Sequence, residues 1–485
     1  MLRVTSFEAV HSLGKFLRDS GYDVAHLGNE FGLEHSLHAK LDNLEPLLYR
    51  TSGDTRLHSL ARLFFVGVPV AIEICRSLIP EEILTTFLET GALKQIGAQI
   101  EPQCLFVPFA NLLAVCDTTS HRKDNPDLVV GPSLATKLIS RVTLHEPSEA
   151  TLDIGTGSGI LALEAASYSK RVVATDINCR AVEFATFGAA LNGITNLTAV
   201  CGDAFAPVTG QRFSRIIANP PFFITPGKKH TYSDSPIELD GFCRQLAKEA
   251  PHYLEEGGVF QMLCEWAQVS GQPWQDRIRD WVAESSCDVL VLKGMQKKPA
   301  DYAETRVNEA VLMHGGSAGH SFNERISYFQ ERGVESIVGG VIIMRKRAGS
   351  NWVSIISSDG LGEAAGYSVR ERFDALDFVS SRSDAEMLNT KFLLSTDAVL
   401  EQRQALTQRG WQFISIQLVT SQGLLDRLNL DETVAKFIPL FDGSRKLIEI
   451  AESVSASLEI PTQEAEQKCL QLVRRLLQGN FAKPL

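Results

Sequence analysis

The 485-residue sequence lacks the cysteine patterns of disulfide-stabilised or zinc-binding proteins. Its nine cysteines are odd in number and widely spaced, and no CxxC pair occurs. Disulfide frameworks and structural zinc sites are recognised by regular, closely spaced cysteines. We therefore expect neither a disulfide framework nor a metal site, and we expect cysteines within apolar runs to behave as small hydrophobic side chains.

Long hydrophobic runs are also missing. The N-terminal segment carries charges throughout and has no apolar core of the kind that a signal peptide needs. The most apolar run near it, Phe64 to Cys75, is interrupted by Pro69 and Glu73. A membrane-spanning helix needs about 20 predominantly apolar residues. The sequence therefore predicts no membrane association and a cytoplasmic location.

Positive charge is scarce, with 47 Lys and Arg against 58 Asp and Glu and a formal net charge of −11. Proteins that act on nucleic acid usually carry a basic face. The overall balance argues against such a partner. A local cluster of Lys228, Lys229 and His230 leaves nucleic acid open as a partner, because a local patch is enough to bind phosphate.

Three regions follow one another along the chain. Residues 1–125 have mostly helical spacing, and a helix, a turn at Gly91 and two short strand-like runs resemble a winged helix. This region is either a cap that shapes a substrate pocket or a nucleic-acid-binding module, and its few basic residues favour the cap. A polar linker is predicted at 121–127. Residues 350–485 are predicted to form a C-terminal α+β and helical domain.

The middle region, 128–347, alternates β-branched runs with helical stretches and contains a long insertion at about 295–332. Strand–helix alternation with continuously apolar strands is typical of a parallel sheet that helices cover on both faces. The predicted fold class is thus α/β, with a seven-stranded doubly wound sheet. A mostly helical N-terminal domain and an α+β C-terminal region, with winged-helix-like elements as an alternative, are expected to flank it.

The segment Thr151–Gly159 reads TLDIGTGSG, a strand that enters a glycine-rich turn before a helix. Glycines at this position let the backbone turn sharply and approach a ligand, and the helix that follows presents free N–H groups. The turn fits the dinucleotide pattern G-x-G-x-x-G/A only loosely, through Ala162 rather than Ile160. A dinucleotide site is disfavoured and stays open, whereas the P-loop motif is absent.

Acidic residues stand at the ends of three successive predicted strands: Asp153, Asp176 and Asp203. The carboxyl ends of parallel strands meet at one edge of the sheet, where such sheets bind ligands. Asp176 is placed to accept both hydroxyls of a ribose, Asp203 to accept from an adenine amine, and Asp153 to fix the turn or meet an ammonium group. Together they predict a bound adenosine.

The fourth predicted strand ends in Asn219–Phe222, which reads NPPF. Two prolines stop the strand and hold the backbone extended and rigid. The Asn219 side-chain oxygen and the Pro220 carbonyl then form a pair of acceptors that matches the two donors of a planar –NH₂ group. Phe222 is placed to stack on that group and exclude water.

The glycine turn, Asp176, Asp203 and NPPF together resemble the class I S-adenosylmethionine-dependent methyltransferases that modify amide or exocyclic nitrogens. These include the HemK/PrmC-like glutamine methyltransferases and the small-domain ribosomal RNA guanine and adenine methyltransferases. The resemblance implies S-adenosylmethionine as the cofactor and Asn219, Pro220, Pro221 and Phe222 as the catalytic motif. The cofactor-binding residues that it implies are Thr136, Asp153, Gly155, Thr156, Gly157, Gly159, Asp176, Ile177, Asp203, Ala204 and Asn219.

The resemblance covers about 128–347 and leaves the methyl acceptor open. A protein glutamine amide is the favoured acceptor because of the negative net charge. The alternative acceptor is an exocyclic amine (adenine N6 or guanine N2) of ribosomal RNA, transfer RNA or DNA. The phenylalanine at the fourth position of NPPF and the lysine cluster favour it. A small-molecule acceptor is a third possibility. A different class of function is a non-catalytic S-adenosylmethionine-binding regulator with DNA-binding winged helices, against which the intact NPPF motif argues.

Overall fold

The computed structural model describes residues 2–32, 44–118, 125, 127–314, 320–357, 360–362, 365–408 and 410–485, so most of the predicted linker at 121–127 lies outside the described residues. The chain divides into two compact units. The first comprises Met1–Ile139, Glu146–Val291 and Met295–Val353, and the second Ser140–His145, Leu292–Gly294 and Ser354–Leu485. The three-domain division at 125–128 and 347–350 stays a prediction.

The N-terminal region is mostly helical, as the spacing predicts. The first helix begins after Ser6, whose side chain accepts a hydrogen bond from the Ala9 N–H at 3.0 Å. Its helices are α1 Phe7–Asp19, α2 Val24–Phe31, α3 Leu44–Arg50, α4 Arg56–Ala61, α5 Ile72–Leu78 and α6 Glu81–Glu89. Its strands are β1 Val70–Ala71, β2 Leu93–Ile96, β3 Gln99–Pro102, β4 Leu105–Phe109 and β5 Leu112–Cys116. They form two small sheets, β1-β3-β2 and β4-β5, separate from the central sheet.

The central sheet has eight strands in the order β13-β11-β12-β10-β9-β6-β7-β8. All seven predicted strands are present, and β13 adds an eighth at the edge. The strands are β6 Ser148–Ile154, β7 Ser169–Asp176, β8 Leu197–Cys201, β9 Phe213–Ala218, β10 Leu254–Val269, β11 Cys287–Lys297, β12 Val334–Lys346 and β13 Val353–Ser357. Helix α7 Leu134–Val142 precedes the strands, and the α-helices between them are α8 Ile160–Ala165, α9 Cys179–Leu191, α10 Gly241–Tyr253, α11 Trp274–Val282, α12 Pro299–His314 and α13 Phe322–Glu331.

The sheet is parallel from β8 through β7, β6 and β9 to β10, as expected for strands joined by single helices. Strand β12 differs from this expectation because it runs antiparallel to β10. The two helices of the insertion, α12 and α13, stand before β12, whereas a parallel connection uses one crossover helix. The predicted insertion at 295–332 therefore contains the end of β11 and the two helices α12 and α13.

Helix α9 is shared between the sheet and the N-terminal region. Phe184 and Leu191 of α9 belong to the same buried core as Val10 and Leu13 of α1. At the end of α9, the Asn192 side chain accepts a hydrogen bond from the Leu113 N–H at 3.0 Å and donates to its carbonyl at 2.9 Å. The N-terminal region thus packs against a helix that leads out of the predicted cofactor site.

The second unit combines small sheets with helices, in line with the predicted α+β region. Its helices are α14 Ala365–Ser381, α15 Asp384–Leu388, α16 Glu432–Ala435, α17 Leu447–Leu458 and α18 Thr462–Gln478. Its strands are β14 Lys391–Leu394, β15 Ala398–Thr407, β16 Gly410–Thr420, β17 Arg427–Leu430, β18 Asp442–Lys446 and β19 Ala482–Pro484. They form the sheets β18-β14-β19 and β15-β16-β17. Across the described residues of the whole chain, no helix is both long and apolar enough to cross a membrane.

Candidate functional site

The predicted site residues follow the carboxyl ends of four adjacent strands. Strands β9, β6, β7 and β8 are neighbours in the sheet and run parallel. Asn219 follows β9, the glycine turn follows β6, Asp176 ends β7 and Asp203 lies just beyond β8. The topology therefore brings these predicted residues to one edge of the sheet, where open α/β sheets bind ligands.

The glycine turn has the backbone conformation that its sequence requires. Gly155, Gly157 and Gly159 have φ angles of 69°, 54° and 80°, which L side chains rarely adopt. A Cβ atom on Gly159 would lie 2.8 Å from the Cβ of Ala185 in α9, whereas one on Gly157 would meet nothing within 4 Å. The turn is thus packed against α9 at one end and open at Gly157.

Asp153 lies beneath the turn and is 1% exposed. Its Oδ2 accepts a hydrogen bond from the Thr156 hydroxyl at 2.6 Å, while its Oδ1 is buried and has no hydrogen-bond partner among the described residues. Burial raises the pKa of Asp153 to about 7, the Thr156 hydrogen bond opposes the rise, and the negative charge of Asp176 adds to it. A cationic group at Oδ1 would supply the partner that this carboxyl lacks.

Asp176 connects the glycine turn to the start of α9. Its Oδ2 accepts from the Gly157 N–H at 2.9 Å, and its Oδ1 accepts from the Asn178 N–H at 2.8 Å. Burial raises its pKa, and these two hydrogen bonds lower it. Each carboxylate oxygen has a further lone pair for a ligand hydroxyl. The neighbouring Ile177 is 56% exposed and extends from the same edge.

The segment after β8 is held against the end of β7. Gly202 donates its N–H to the Asp176 carbonyl at 2.9 Å, and the Ala204 carbonyl accepts from the Thr175 hydroxyl at 3.0 Å. Ala204 has a φ of 42°, which is unusual for a residue other than glycine. Asp203, between these two anchored residues, is exposed and available to a ligand.

A disulfide between Cys179 and Cys201 joins the first residue of α9 to the last residue of β8. The expectation that the cysteines form no disulfide framework did not anticipate this bond. The separation of 22 residues along the chain hid their proximity, which arises because β7 and β8 are parallel neighbours. The signal was present in their positions: each cysteine lies within three residues of a predicted site aspartate, Asp176 or Asp203.

The NPPF motif lies beside the glycine turn. A Cβ atom on Gly155 would be 3.9 Å from the Cα of Pro220, which measures how closely the two motifs approach. The Asn219 Oδ1 is buried and has no hydrogen-bond partner among the described residues. The half-buried Phe222 meets Phe223 edge to face, with ring centroids 5.2 Å apart. The motif thus presents an unused acceptor at the edge where the aspartates stand.

The loop after the motif is built around Asp234. Its Oδ2 accepts from the N–H groups of Lys229 and His230 at 2.9 Å each. Phe223 pairs with the returning chain, donating to the Ser233 carbonyl at 2.9 Å and accepting from the Ser235 N–H at 3.0 Å. The backbone of this basic loop therefore has internal hydrogen bonds, while Lys228 is exposed beside the motif.

Thr136 lies in the first turn of α7. Its hydroxyl accepts a hydrogen bond from the Ser133 N–H at 3.1 Å, and the Ser133 hydroxyl accepts from the Thr136 N–H at 3.3 Å. These reciprocal bonds cap the helix. They give Thr136 a local structural role, and its part in cofactor binding stays a prediction.

Sequence reasoning missed Tyr302 and Arg306, which contact the chain just beyond the motif, and Glu265, which accepts a hydrogen bond from Tyr302. The Tyr302 hydroxyl accepts from the Ile224 N–H at 3.1 Å and donates to Glu265, and the Arg306 guanidinium lies 3.9 Å from the centroid of the Phe223 ring. A signal existed for Glu265, since a carboxylate within the apolar strand β10 needs a buried partner. Nothing local in the sequence connects α12 to the motif.

Comparison with known proteins agrees with this geometry. Residues 133–273 match the family described as methyltransferase small domain. A release factor glutamine methyltransferase of Xylella fastidiosa is 32% identical over 136 residues, which cover 26% of this chain and 50% of that protein. The ribosomal RNA small subunit methyltransferase C of Alcanivorax borkumensis is 29% identical over 134 residues, covering 28% of this chain and 37% of that protein.

The chain covers a larger share of a relative from Methanocaldococcus jannaschii, which carries the provisional name protein N5-glutamine methyltransferase. It is 31% identical over 142 residues, which are 28% of this chain and 71% of that protein. By contrast, the chain spans about half the length of the Xylella release factor methyltransferases that it matches. The matched residues 133–273 contain the glycine turn, the strand-end aspartates and NPPF. The chain therefore belongs to the methyltransferase small domain family.

Proposed function

We propose that this protein is an S-adenosylmethionine-dependent N-methyltransferase that acts on a planar nitrogen of a macromolecule, with a protein glutamine amide as the favoured acceptor. The observation that carries the proposal is the buried Asn219 Oδ1, which lacks a partner among the described residues beside the glycine turn. A buried polar atom without a partner is costly and rare in folded proteins. A substrate N–H that docks at this edge would satisfy it.

The residues around the glycine turn fit S-adenosylmethionine. The unpartnered Asp153 Oδ1 suits the ammonium group of the methionine part, and the space beside Gly157 lets the ligand approach the backbone. Asp176, with Ile177 beside it, would accept from the ribose hydroxyls. Asp203 and Ala204 would hold the adenine. When bound, the cofactor supplies a methyl group on a positively charged sulfur.

The protein's own contribution to the reaction is alignment. The Asn219 Oδ1 and the Pro220 carbonyl would accept the two N–H groups of a planar amine or amide, which draws the nitrogen lone pair out of conjugation. Pro221 keeps the backbone extended, and Phe222 stacks on the planar group and excludes water. Holding the reacting atoms in line would be the main source of rate in such a transfer. The methylated nitrogen would be positively charged and would release its proton to solvent, so no general base is required.

The net charge of the chain and the names of its relatives bear on the class of methyl acceptor. The net charge of −11 suits a protein acceptor better than a nucleic acid, and two of the relatives described above carry the name glutamine methyltransferase. A base amine of RNA is the second candidate. The exposed Lys228 beside the motif and the relative named ribosomal RNA small subunit methyltransferase C favour it.

Radiolabelled methyl transfer into a cell extract tests the proposal. Purified protein, tritiated S-adenosylmethionine and extract are incubated, and the product is divided between protease and ribonuclease treatment. We expect protease-sensitive label that appears as N5-methylglutamine after complete enzymatic digestion, and as methylamine after acid hydrolysis. Ribonuclease-sensitive label would assign the RNA acceptor instead. Label no greater than that of extract incubated without the protein would remove the methyltransferase proposal for this chain.

A further inference from the structure

Helix α12 contacts the two residues that directly follow the NPPF motif. The Tyr302 hydroxyl accepts a hydrogen bond from the Ile224 N–H at 3.1 Å. Four residues later on the same helix face, the Arg306 guanidinium lies over the Phe223 ring, 3.9 Å from its centroid. Both contacts come from the insertion between β11 and β12, which is separate in sequence from the motif.

The contacts rest on a buried polar network. Tyr302 is 0% and Glu265 is 4% exposed, and the Tyr302 hydroxyl donates to Glu265 while it accepts from Ile224. Arg306 has an ion pair with Glu309 at 2.9 Å and lies 5.2 Å from the Tyr302 ring centroid. The hydrogen bonds of Tyr302 fix geometry, because Tyr302, Glu265 and the Ile224 N–H would each lose a partner away from water if displaced.

The same segment has other anchors along its backbone. The Phe223 backbone is paired with Ser233 and Ser235, and Ile224 is fully buried in a cluster with Tyr302 and Tyr328. The chain between Asn219 and Phe222 is thus attached to β9 at one end. At its other end it is attached to α12.

We propose that Tyr302 and Arg306 are positioning residues for the acceptor motif, holding Phe223 and Ile224 so that Asn219 and Phe222 keep the orientation that the methyl acceptor needs. This rests on the proposed function of the motif. The physical basis is that misplacement of reacting groups by about 1 Å can slow a reaction about 100-fold. Neither residue touches the cofactor turn, so the effect should fall on the acceptor side alone.

The chain offers a matched control in α13. The Tyr328 hydroxyl accepts from the Leu239 N–H at 2.9 Å, and the Arg332 guanidinium lies 4.0 Å from the Tyr328 ring centroid. Tyr328 belongs to the same buried cluster as Tyr302. Tyr328→Phe therefore removes the same kind of hydrogen bond from the same cluster, but at a backbone amide far along the chain from the motif.

The experiment compares Tyr302→Phe with Tyr328→Phe in the full-length protein. Hydrogen exchange read by mass spectrometry follows the amides of 219–226, calorimetry gives the dissociation constant for S-adenosylmethionine, and tritium incorporation is measured over a titration of extract. For Tyr302→Phe we expect faster exchange in 219–226, cofactor affinity within about twofold, and a maximal transfer rate lowered by about 10- to 100-fold. Tyr328→Phe should change none of the three by more than about twofold.

Arg306→Lys is the second variant, in case Tyr302→Phe folds poorly. Lysine keeps the positive charge but lacks the planar guanidinium that stacks on Phe223. A lower maximal rate with unchanged cofactor affinity would again support positioning. Wild-type transfer by both variants would overturn it, and so would an equal loss in Tyr328→Phe. If the wild-type protein itself binds no S-adenosylmethionine, the proposed function fails and the positioning role fails with it.

Discussion

Replacing Asn219 with alanine separates a role in catalysis from a role in folding. The Asn219 Oδ1 is buried and has no partner among the described residues, so in the free protein this atom destabilises the fold. If it serves the methyl acceptor, its removal should slow transfer severely and cost the fold little. If it serves the fold, stability should fall.

The magnitudes follow from the contacts. Leaving a buried acceptor unpaired costs about 1–3 kcal/mol, and alanine removes that cost together with some packing. We therefore expect the free energy of unfolding to fall by less than about 1 kcal/mol. Loss of one aligned contact at a reacting group typically slows a reaction about 10²- to 10³-fold, or about 2.7–4 kcal/mol of barrier. Asp153 and Asp176 are untouched, so cofactor affinity should stay within about threefold.

The assay needs three measurements on each variant: urea unfolding, calorimetric titration with S-adenosylmethionine, and tritium incorporation into extract. Phe222→Tyr is the matched control within the motif, because its ring still stacks and its transfer rate should remain close to wild type. Phe222→Leu should show a milder loss than Asn219→Ala, expressed mainly as weaker acceptor binding.

One result would refute the reasoning directly. If Asn219→Ala transfers methyl at the wild-type rate, the acceptor is not a planar amine or amide held by this motif. The nitrogen specificity would then be wrong even if the cofactor assignment stood. A large loss of stability in the variant would instead give Asn219 a structural role, contrary to its unpaired oxygen.

Three further changes test other residues at the carboxyl-terminal edge of the sheet. Asp176→Ala should weaken S-adenosylmethionine binding by about 10- to 100-fold, since charge-assisted hydrogen bonds to the ribose are lost, and wild-type affinity in calorimetry would exclude Asp176 from the site. Burial raises the pKa of Asp153 to about 7 in the folded protein, against 3.8 as its ordinary value. The neutral carboxyl therefore contributes stability that is fully present below about pH 4 and is lost as the pH rises through 7. In urea unfolding, the free energy of unfolding of the wild type should fall by about 3 kcal/mol more than that of Asp153→Asn between pH 5 and pH 8. An equal change in the free energy of unfolding with pH in the two proteins would assign this pH dependence to a group other than Asp153. Replacing Cys179 and Cys201 with serine opens a loop of 22 residues and should lower the free energy of unfolding by roughly 3 kcal/mol. Dithiothreitol, which reduces disulfides, should not change the free energy of unfolding of that variant. If it leaves the stability of the wild type unchanged as well, the disulfide is contradicted.

The sequence by itself determined seven strands of the sheet and the edge at which the candidate site residues lie. Alternation of apolar runs with helical stretches is a local property, and all seven strands between 150 and 344 lie where that alternation predicts them. The glycine turn was readable because its φ angles are ones that residues other than glycine rarely adopt. The strand-end positions of Asp176 and Asn219 followed from the parallel topology, since parallel strands end at one edge.

Contacts between segments distant in sequence were decided only by the tertiary structure. The Cys179–Cys201 bond depends on β7 and β8 lying side by side, the antiparallel β12 depends on where the α12–α13 pair returns the chain, and the core of α1 is completed by α9. The hydrogen bond from Ile224 to Tyr302 joins residues 78 positions apart. Periodicity and motif spacing describe what one segment needs. Which distant side chain meets that need is decided by packing, in which the whole chain takes part.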